Sequence, residues 1–251
     1  MVFLIPGTSH WESQSLPPPR CSILPALARF HFKGVTEYLE ELVTRIGAPQ
    51  LGEMYITFFN QVDFDFPRLT KFINCTPTLI MALDEARVQF NDATATVILR
   101  PRTSGVRGNL LIHISCRGPD WQPSSMEQVC NYFLRILLTV ENLYIEHLYS
   151  LQVRKKEAIE NDLWLQFFLP FTAVKNLYLS KEFVPGTRDV LKELDEGRIT
   201  EVLPSLQNIF VKGLRPSGSF HEEIGQFIAT RWLSDHPIAI SIWDKDQLKV
   251  M

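Results

Sequence analysis

The sequence has few cysteines and no long apolar run, and each shortage excludes a class of protein. Four cysteines in 251 residues form no CxxC pair, so neither a disulfide scaffold nor a structural zinc site is expected. The most apolar run, 163–171, contains Gln166 and Pro170 and is far shorter than the roughly 20 residues of a membrane span. The apolar start meets Pro6 and Gly7 before a signal peptide could form. We therefore expect an intracellular protein, cytoplasmic or nuclear, without a membrane partner.

Neither sign of charge dominates the chain. Its 25 Lys and Arg residues against 28 Asp and Glu residues leave a formal net charge of −3. This balance argues against a strongly basic nucleic-acid-binding protein and against a disordered acidic tail. Hydrophobic residues make up 45% of the chain, which is enough to build a core without disulfides or structural metal ions. The composition thus predicts a globular protein without a nucleic-acid partner, built as two domains or as one elongated array.

A strand motif recurs along the sequence. Segments 25–32, 49–56 and 204–211 all read Pro-x-Leu-x-x-Φ-x-Φ, where Φ is apolar. Segments 140–145 and 174–179 carry the same core without the proline. Three weaker Φ-x-Φ triplets lie at 88–90, 112–114 and 238–240. Alternation of this kind is typical of strands, and a spacing of about 30 residues is typical of long leucine-rich repeats.

Helical patterns lie between these strands. Apolar residues at positions 35, 39, 42 and 46 share one face, and a second helix is predicted over 126–137 behind the capping box Ser124–Glu127. Alternating strands and helices predict an α/β fold, a leucine-rich-repeat-like solenoid with a curved parallel sheet and helices on its convex side.

The repeats would occupy residues 24–244. They follow an N-terminal extension, 1–23, expected to be poorly ordered, and precede a tail at 245–251. An additional strand at 94–99 and a loop at 100–108 point to a hairpin that interrupts the solenoid. Strand pairing over 91–109 therefore stays open.

No motif predicts catalysis, a metal site or a cofactor. His113 and Cys116 are three residues apart on a predicted strand, so their side chains point to opposite faces. Asp63 and Asp65 alternate with phenylalanines, as in an ordinary amphipathic edge. Gly105 lies among arginines without the spacing of a phosphate-binding loop. We expect a protein that is not an enzyme.

The strand alternation predicts an aromatic surface. If the apolar pairs of each motif point into the core, the residues between them point out along the concave face. These residues are Tyr55, Tyr144, Tyr178 and Phe210. The last three fall on successive strands about 4.8 Å apart, which predicts an aromatic ladder. Such a ladder could stabilise the sheet by stacking alone, or it could form a protein-binding site.

Several stretches of the sequence resemble a large fungal family of F-box-like proteins whose C-terminal part is an irregular leucine-rich-repeat domain. The similar stretches are 30–35 with 37–39, 56–61, 120–122 with 124–125, 170–180, 200–207 and 236–238. An F-box is a helical module that docks the adaptor of a ubiquitin ligase, and residues 1–23 are too few to form one. The resemblance implies the substrate-receptor part of such a protein. A ligase adaptor would be a partner only if an F-box exists outside this chain.

These observations favour a non-enzymatic domain that binds a protein partner through its concave face. Two alternatives stay open. One is a truncated or decayed protein without independent activity, and the other is an enzyme whose site is assembled from distant positions.

Overall fold

Strands and short helices alternate through most of the described chain. The computed structural model describes residues 21–59, 61, 63–80, 83–91, 93–102, 108–115, 121–147, 166–180, 202–212 and 237–243. The strands are β1 (Ser22–Ile23), β2 (Arg29–Gly34), β3 (Ile46–Gly47), β4 (Glu53–Phe59), β5 (Glu85–Phe90), β6 (Thr94–Arg100), β7 (Asn109–Ser115), β8 (Asn142–His147), β9 (Asn176–Leu179), β10 (Asn208–Lys212) and β11 (Ala239–Trp243). The helices are α1 (Thr36–Arg45), α2 (Pro67–Asn74), α3 (Pro77–Ile80), α4 (Trp121–Tyr132) and α5 (Leu134–Leu137).

Nine of the strands form one mixed sheet. Its order is β11-β10-β9-β8-β5-β6-β7-β4-β2, and the short strands β1 and β3 pair separately. Strand β6 is antiparallel to both of its neighbours, whereas every other pairing in this sheet is parallel. All eight predicted triplets fall on these strands, although β11 begins one residue later than its triplet. The additional strand predicted at 94–99 is β6.

The predicted parallel solenoid is wrong. In such a solenoid β5 would lie beside β4 and β7 beside β5, but β4 pairs with β7 and β5 pairs with β8. The reason is a meander of three strands. Strand β6 runs antiparallel to β5 and β7 and lies between them. Strands β5 and β7 are therefore not neighbours, as the repeat would require.

A tight turn at Asn91 creates this reversal. The Asn91 side-chain oxygen accepts the backbone N–H groups of Ala93 and Thr94 at 3.0 and 2.8 Å, and the Asn91 N–H donates to the Thr94 carbonyl at 2.9 Å. An Asx turn of this kind leaves no room for a crossover helix. The chain therefore returns directly as β6.

The core lies on one face of the sheet. Alternate strand residues such as Met54, Ile56, Leu143 and Ile145 are fully buried there. Each of the helices α1 to α5 contributes buried apolar side chains to the same cluster. The inward assignment made for the apolar pairs of β4, β8, β9 and β10 is thus confirmed.

Two of the helix predictions need correction. The buried side chains of α1 are Thr36, Leu39 and Val43, whereas Leu42 faces outward. The helix ends before Ile46, which is extended and pairs with β1. The helix predicted over 126–137 begins earlier, at Trp121, and breaks at Phe133 before α5. The proposed capping box therefore lies inside α4.

Candidate functional site

The face of the sheet opposite the core carries polar and aromatic side chains, and we call it the polar face. Its side chains alternate along each strand with those of the core. One row crosses the entire sheet through residues that pair strand by strand. In order, this row contains Ser241, Phe210, Tyr178, Tyr144, Arg87, Ile98, Leu111, Tyr55 and His31. All four aromatic residues predicted from the sequence lie in this row.

Three of them form the predicted aromatic ladder, Tyr144, Tyr178 and Phe210. The ring centroids of Tyr144 and Tyr178 are 4.1 Å apart with planes 7° from parallel. Those of Tyr178 and Phe210 are 4.6 Å apart with planes at 10°. The rings stack because β8, β9 and β10 are parallel and pair these residues directly.

The expected exposure of the ladder is wrong for two of its members. Tyr144 is 2% exposed and Tyr178 is 8% exposed, whereas Phe210 is half-buried. The Arg87 guanidinium lies over the Tyr144 ring, 4.9 Å from its centroid. Burial, followed by the charge of Glu85, raises the pKa of the Tyr144 hydroxyl. The ladder is thus a packed element, and Phe210 is its most accessible ring.

Tyr55 belongs to a separate aromatic pair. It lies four strands from Tyr144, and Arg87, Ile98 and Leu111 fill the row between them. Its ring stacks on His31 with centroids 4.5 Å apart and planes at 25°. Tyr55 is half-buried, and His31 on the edge strand β2 is exposed.

The Tyr55 hydroxyl is held from two sides. It donates to Glu53 Oε2 at 3.2 Å and accepts from Asn109 Nδ2 at 3.2 Å. Burial and the nearby Glu53 carboxylate raise the pKa of Tyr55. These contacts orient a partly accessible ring at the β2 end of the row.

An asparagine ladder runs beside the aromatic ladder. Asn176 Nδ2 donates to Asn142 Oδ1 at 2.9 Å, and Asn208 Nδ2 donates to Asn176 Oδ1 at 2.8 Å. Each asparagine stands two residues before an aromatic ring, in the motifs Asn-Leu-Tyr and Asn-Ile-Phe. The sequence contained this signal, because the same spacing occurs in three repeats.

Charged side chains are buried at the centre of the polar face. Glu85 Oε1 accepts from Arg100 Nε at 2.7 Å, and Arg87 Nη1 lies 3.4 Å from Glu146 Oε1. The Gln89 amide donates to the other Glu146 oxygen at 2.9 Å. The two carboxylate side chains are only 6% and 9% exposed. Buried charges of this kind need their partners, since an unpaired buried charge is strongly destabilising.

Sequence reasoning missed this network because its members come from three strands. Glu85, Arg87 and Gln89 alternate with apolar residues on β5, which is a recognisable pattern for one polar face. Their partners Arg100 and Glu146 are identified only once the antiparallel and parallel neighbours of β5 are known. The network lies beside the aromatic ladder, on β5, β6 and β8.

His113 also lies on the polar face. Its Nδ1 is 2.9 Å from the Thr96 hydroxyl oxygen on the adjacent strand β6. Burial and the nearby positive charge of Lys33 lower the pKa of His113 and favour the neutral imidazole. Cys116, which we compared with His113 in the sequence, lies outside the described residues.

The remaining residues considered for a metal or acid–base site include Asp65. Asp65 accepts a hydrogen bond from the Tyr132 hydroxyl at 2.6 Å. Within the described ranges, no group of three or more His, Cys, Asp and Glu side chains is arranged to hold a metal ion. None of the described helices combines the length and the apolar character needed to cross a membrane.

No protein-family model, curated protein or solved structure matches the chain.

Proposed function

We propose that this chain is a non-enzymatic protein-interaction domain that contacts its partner through the polar face. The observation that carries the proposal is the two stacks of aromatic side chains on this face. Their accessible members are the half-buried Phe210 in one stack and the half-buried Tyr55 with the exposed His31 in the other. Tyrosine and other amphipathic rings are enriched where proteins bind one another.

The buried part of the row supports this role by making the surface rigid. Tyr144 and Tyr178 are packed, and the charged network beside them fixes Arg87 between two carboxylates. A binding residue whose position is fixed by its neighbours loses little conformational entropy when a partner arrives. The partner would therefore meet Phe210, which stacks on the buried Tyr178, and the separate pair of Tyr55 and His31. Glu53 and Asn109 hold the Tyr55 hydroxyl in place.

The sequence resemblance suggests what kind of partner this is. The F-box-like proteins described above use their C-terminal part as a substrate receptor, so we propose that the partner is a protein substrate. The proposal places the protein inside the cell, in the cytoplasm or the nucleus. Binding to a ubiquitin-ligase adaptor enters it only if an F-box lies outside this chain.

The test compares partners captured by three forms of the full chain. The forms are the natural protein, Tyr55→Ala, and the matched control Tyr38→Ala. Tyr38 is 70% exposed on α1, away from the polar face. We expect Tyr55→Ala to reduce the capture of specific partners by about tenfold, as truncation of an aromatic anchor does, and Tyr38→Ala to leave it unchanged.

Quantitative mass spectrometry of cross-linked complexes provides the measurement. Circular dichroism first establishes that both variants are folded. Phe210→Ala then tests the opposite end of the row. If all variants recover the same partners in the same amounts as the natural protein, the polar face is not the binding surface.

A further inference from the structure

We propose that the outer edge of β2 binds an extended acidic segment of the partner protein as a tenth strand of the sheet. This inference rests on the proposed function and specifies the chemistry of the partner. It is carried by the backbone and the side chains of Arg29, His31 and Lys33.

No described strand pairs with one side of the β2 backbone. β2 is the last strand in the sheet order, and it pairs only with β4 among the described strands. The Ala28 carbonyl points towards β4, because it accepts the N–H groups of Gly52 and Glu53 at 3.0 and 3.1 Å. Successive strand residues direct their N–H and C=O groups to opposite sides. The backbone groups of Arg29, His31 and Lys33 therefore point outward, away from the sheet.

The same three residues place basic side chains on the polar face. All three are exposed, whereas Phe30 and Phe32 between them pack against the core. In recognition by strand addition, the main-chain hydrogen bonds supply affinity and the alternate side chains supply specificity. A strand added here would place every second side chain opposite a basic residue, at about 5 Å between Cβ atoms.

This arrangement favours carboxylates at those alternate positions. The structure already contains one such contact, since Arg29 Nε lies 3.0 Å from Glu53 Oε2 on the neighbouring strand. The side chains of His31 and Lys33 are exposed on the polar face of the same strand. On the neighbouring strand, Lys33 lies beside Thr57 rather than beside a carboxylate. An acidic segment would place carboxylates opposite His31 and Lys33.

The same charges argue against a second copy of this chain as the occupant. Two identical edges related by a two-fold axis pair in the antiparallel direction. Pairing centred on His31 would place Arg29 of one copy opposite Lys33 of the other. Like charges directly opposite one another destabilise a strand pair. We therefore assign the edge to a different, acidic polypeptide.

The test measures binding of a fluorescent peptide of alternating glutamate and valine to the full chain by anisotropy. Four forms are compared with the natural protein: Lys33→Ala, Lys33→Glu, Lys33→Pro, and the control Lys71→Glu on the exposed side of α2. Proline is accommodated on an edge strand where its missing N–H faces outward, so Lys33→Pro removes one edge donor. The difference between the proline and alanine variants therefore measures that donor.

We expect charge reversal at Lys33 to weaken peptide binding by about tenfold and Lys71→Glu to change it by less than about twofold. Lys33→Pro should bind about fivefold more weakly than Lys33→Ala. A peptide methylated on alternate backbone nitrogens tests the same hydrogen bonds without altering the protein, and it should also bind more weakly. A peptide of alternating lysine and valine should not bind.

Three results would overturn the inference. The first is that the glutamate–valine peptide fails to bind the natural protein. The second is that Lys33→Pro and Lys33→Ala bind this peptide equally, and that the natural protein binds the methylated peptide as tightly as the unmethylated one. The third is that the chain dimerises through this edge. Any of these results combined with Tyr55-dependent capture of a partner leaves the proposed function intact. Loss of the Tyr55 dependence removes the proposed function itself.

Discussion

Truncation of Tyr144 tests whether the polar face is packed at β8. The ring is 2% exposed and is enclosed by Tyr178 at 4.1 Å and by the Arg87 guanidinium at 4.9 Å. Its neighbour Leu143 is fully buried on the core face of the same strand. If both faces of β8 are covered, Tyr144→Ala and Leu143→Ala should destabilise the protein to a similar extent.

The expected magnitudes follow from the contacts that are lost. Truncating a buried aromatic side chain to alanine costs about 3–5 kcal/mol, and Leu143→Ala should cost about 2–5 kcal/mol. Within the tyrosine value, the stack on Tyr178 contributes about 0.5–1.5 kcal/mol. Tyr144→Phe keeps the stack and removes only the hydroxyl, so it should cost about 0.5–1.5 kcal/mol.

Equilibrium unfolding in urea, followed by circular dichroism, measures these differences. Tyr38→Ala serves as the control, because that tyrosine is 70% exposed and its removal should change the stability by less than about 0.5 kcal/mol. The double variant Tyr144→Ala with Tyr178→Ala then gives the coupling between the two rings.

A small effect at Tyr144 would refute this reasoning. If Tyr144→Ala lowers the free energy of unfolding by less than about 1 kcal/mol while Leu143→Ala lowers it by about 2–5 kcal/mol, the polar face is open to solvent at β8. The aromatic ladder would then be an exposed surface and not the buried support of a binding site.

Two further predictions concern polar groups on the same face. Asn176→Ala removes the middle of the asparagine ladder and takes away the partners of the buried Asn142 oxygen and the half-buried Asn208 amide, so it should cost about 1–3 kcal/mol in urea unfolding. For His113, burial lowers the pKa below its usual 6.5, so the unfolded chain takes up the proton first as the pH falls. The neutral imidazole therefore contributes stability above pH 6.5 that is lost as the pH falls below it, and His113→Gln should flatten this part of the stability profile.

Each of these predictions has a matched control. Asn131 on α4 is exposed, so Asn131→Ala should change the stability by less than about 0.5 kcal/mol. An equal loss at Asn131 and Asn176 would show that the asparagine ladder has no special role. Thr96→Val removes the hydroxyl next to His113 but leaves the imidazole half-buried as before, so it should retain the pH dependence. A profile for His113→Gln as steep as that of the natural protein would contradict the assignment.

The strands were predictable because their information is local. Alternation of apolar residues identifies β4 from Met54 and Ile56, and it identifies β8, β9 and β10 in the same way. The order of the strands was not predictable from alternation, which is the same for a strand that runs forward or back. The turn at Asn91 sends β6 back beside β5, and β7 then lies between β6 and β4, which breaks the expected solenoid.

In the candidate site, too, some contacts were predictable from local sequence and others were not. The stack of Tyr144, Tyr178 and Phe210 followed from a motif repeated on three strands that also neighbour one another in space. The separation of Tyr55 from this stack did not follow, because it depends on the three strands that the meander inserts. The contact of Arg87 with Glu146 was equally hidden, since Glu146 is 59 positions away in the sequence.

The sequence by itself determined where the nine strands of the main sheet lie and which side of these strands faces the core, although it did not predict β1 and β3. Both properties follow from the two-residue period of an extended chain. Only the tertiary structure decided the order and direction of the strands, the burial of Tyr144 and Tyr178, and the place of β2 with its basic residues at the edge of the described sheet. These depend on which segments meet in space, and a pattern within one segment carries no information about its neighbours.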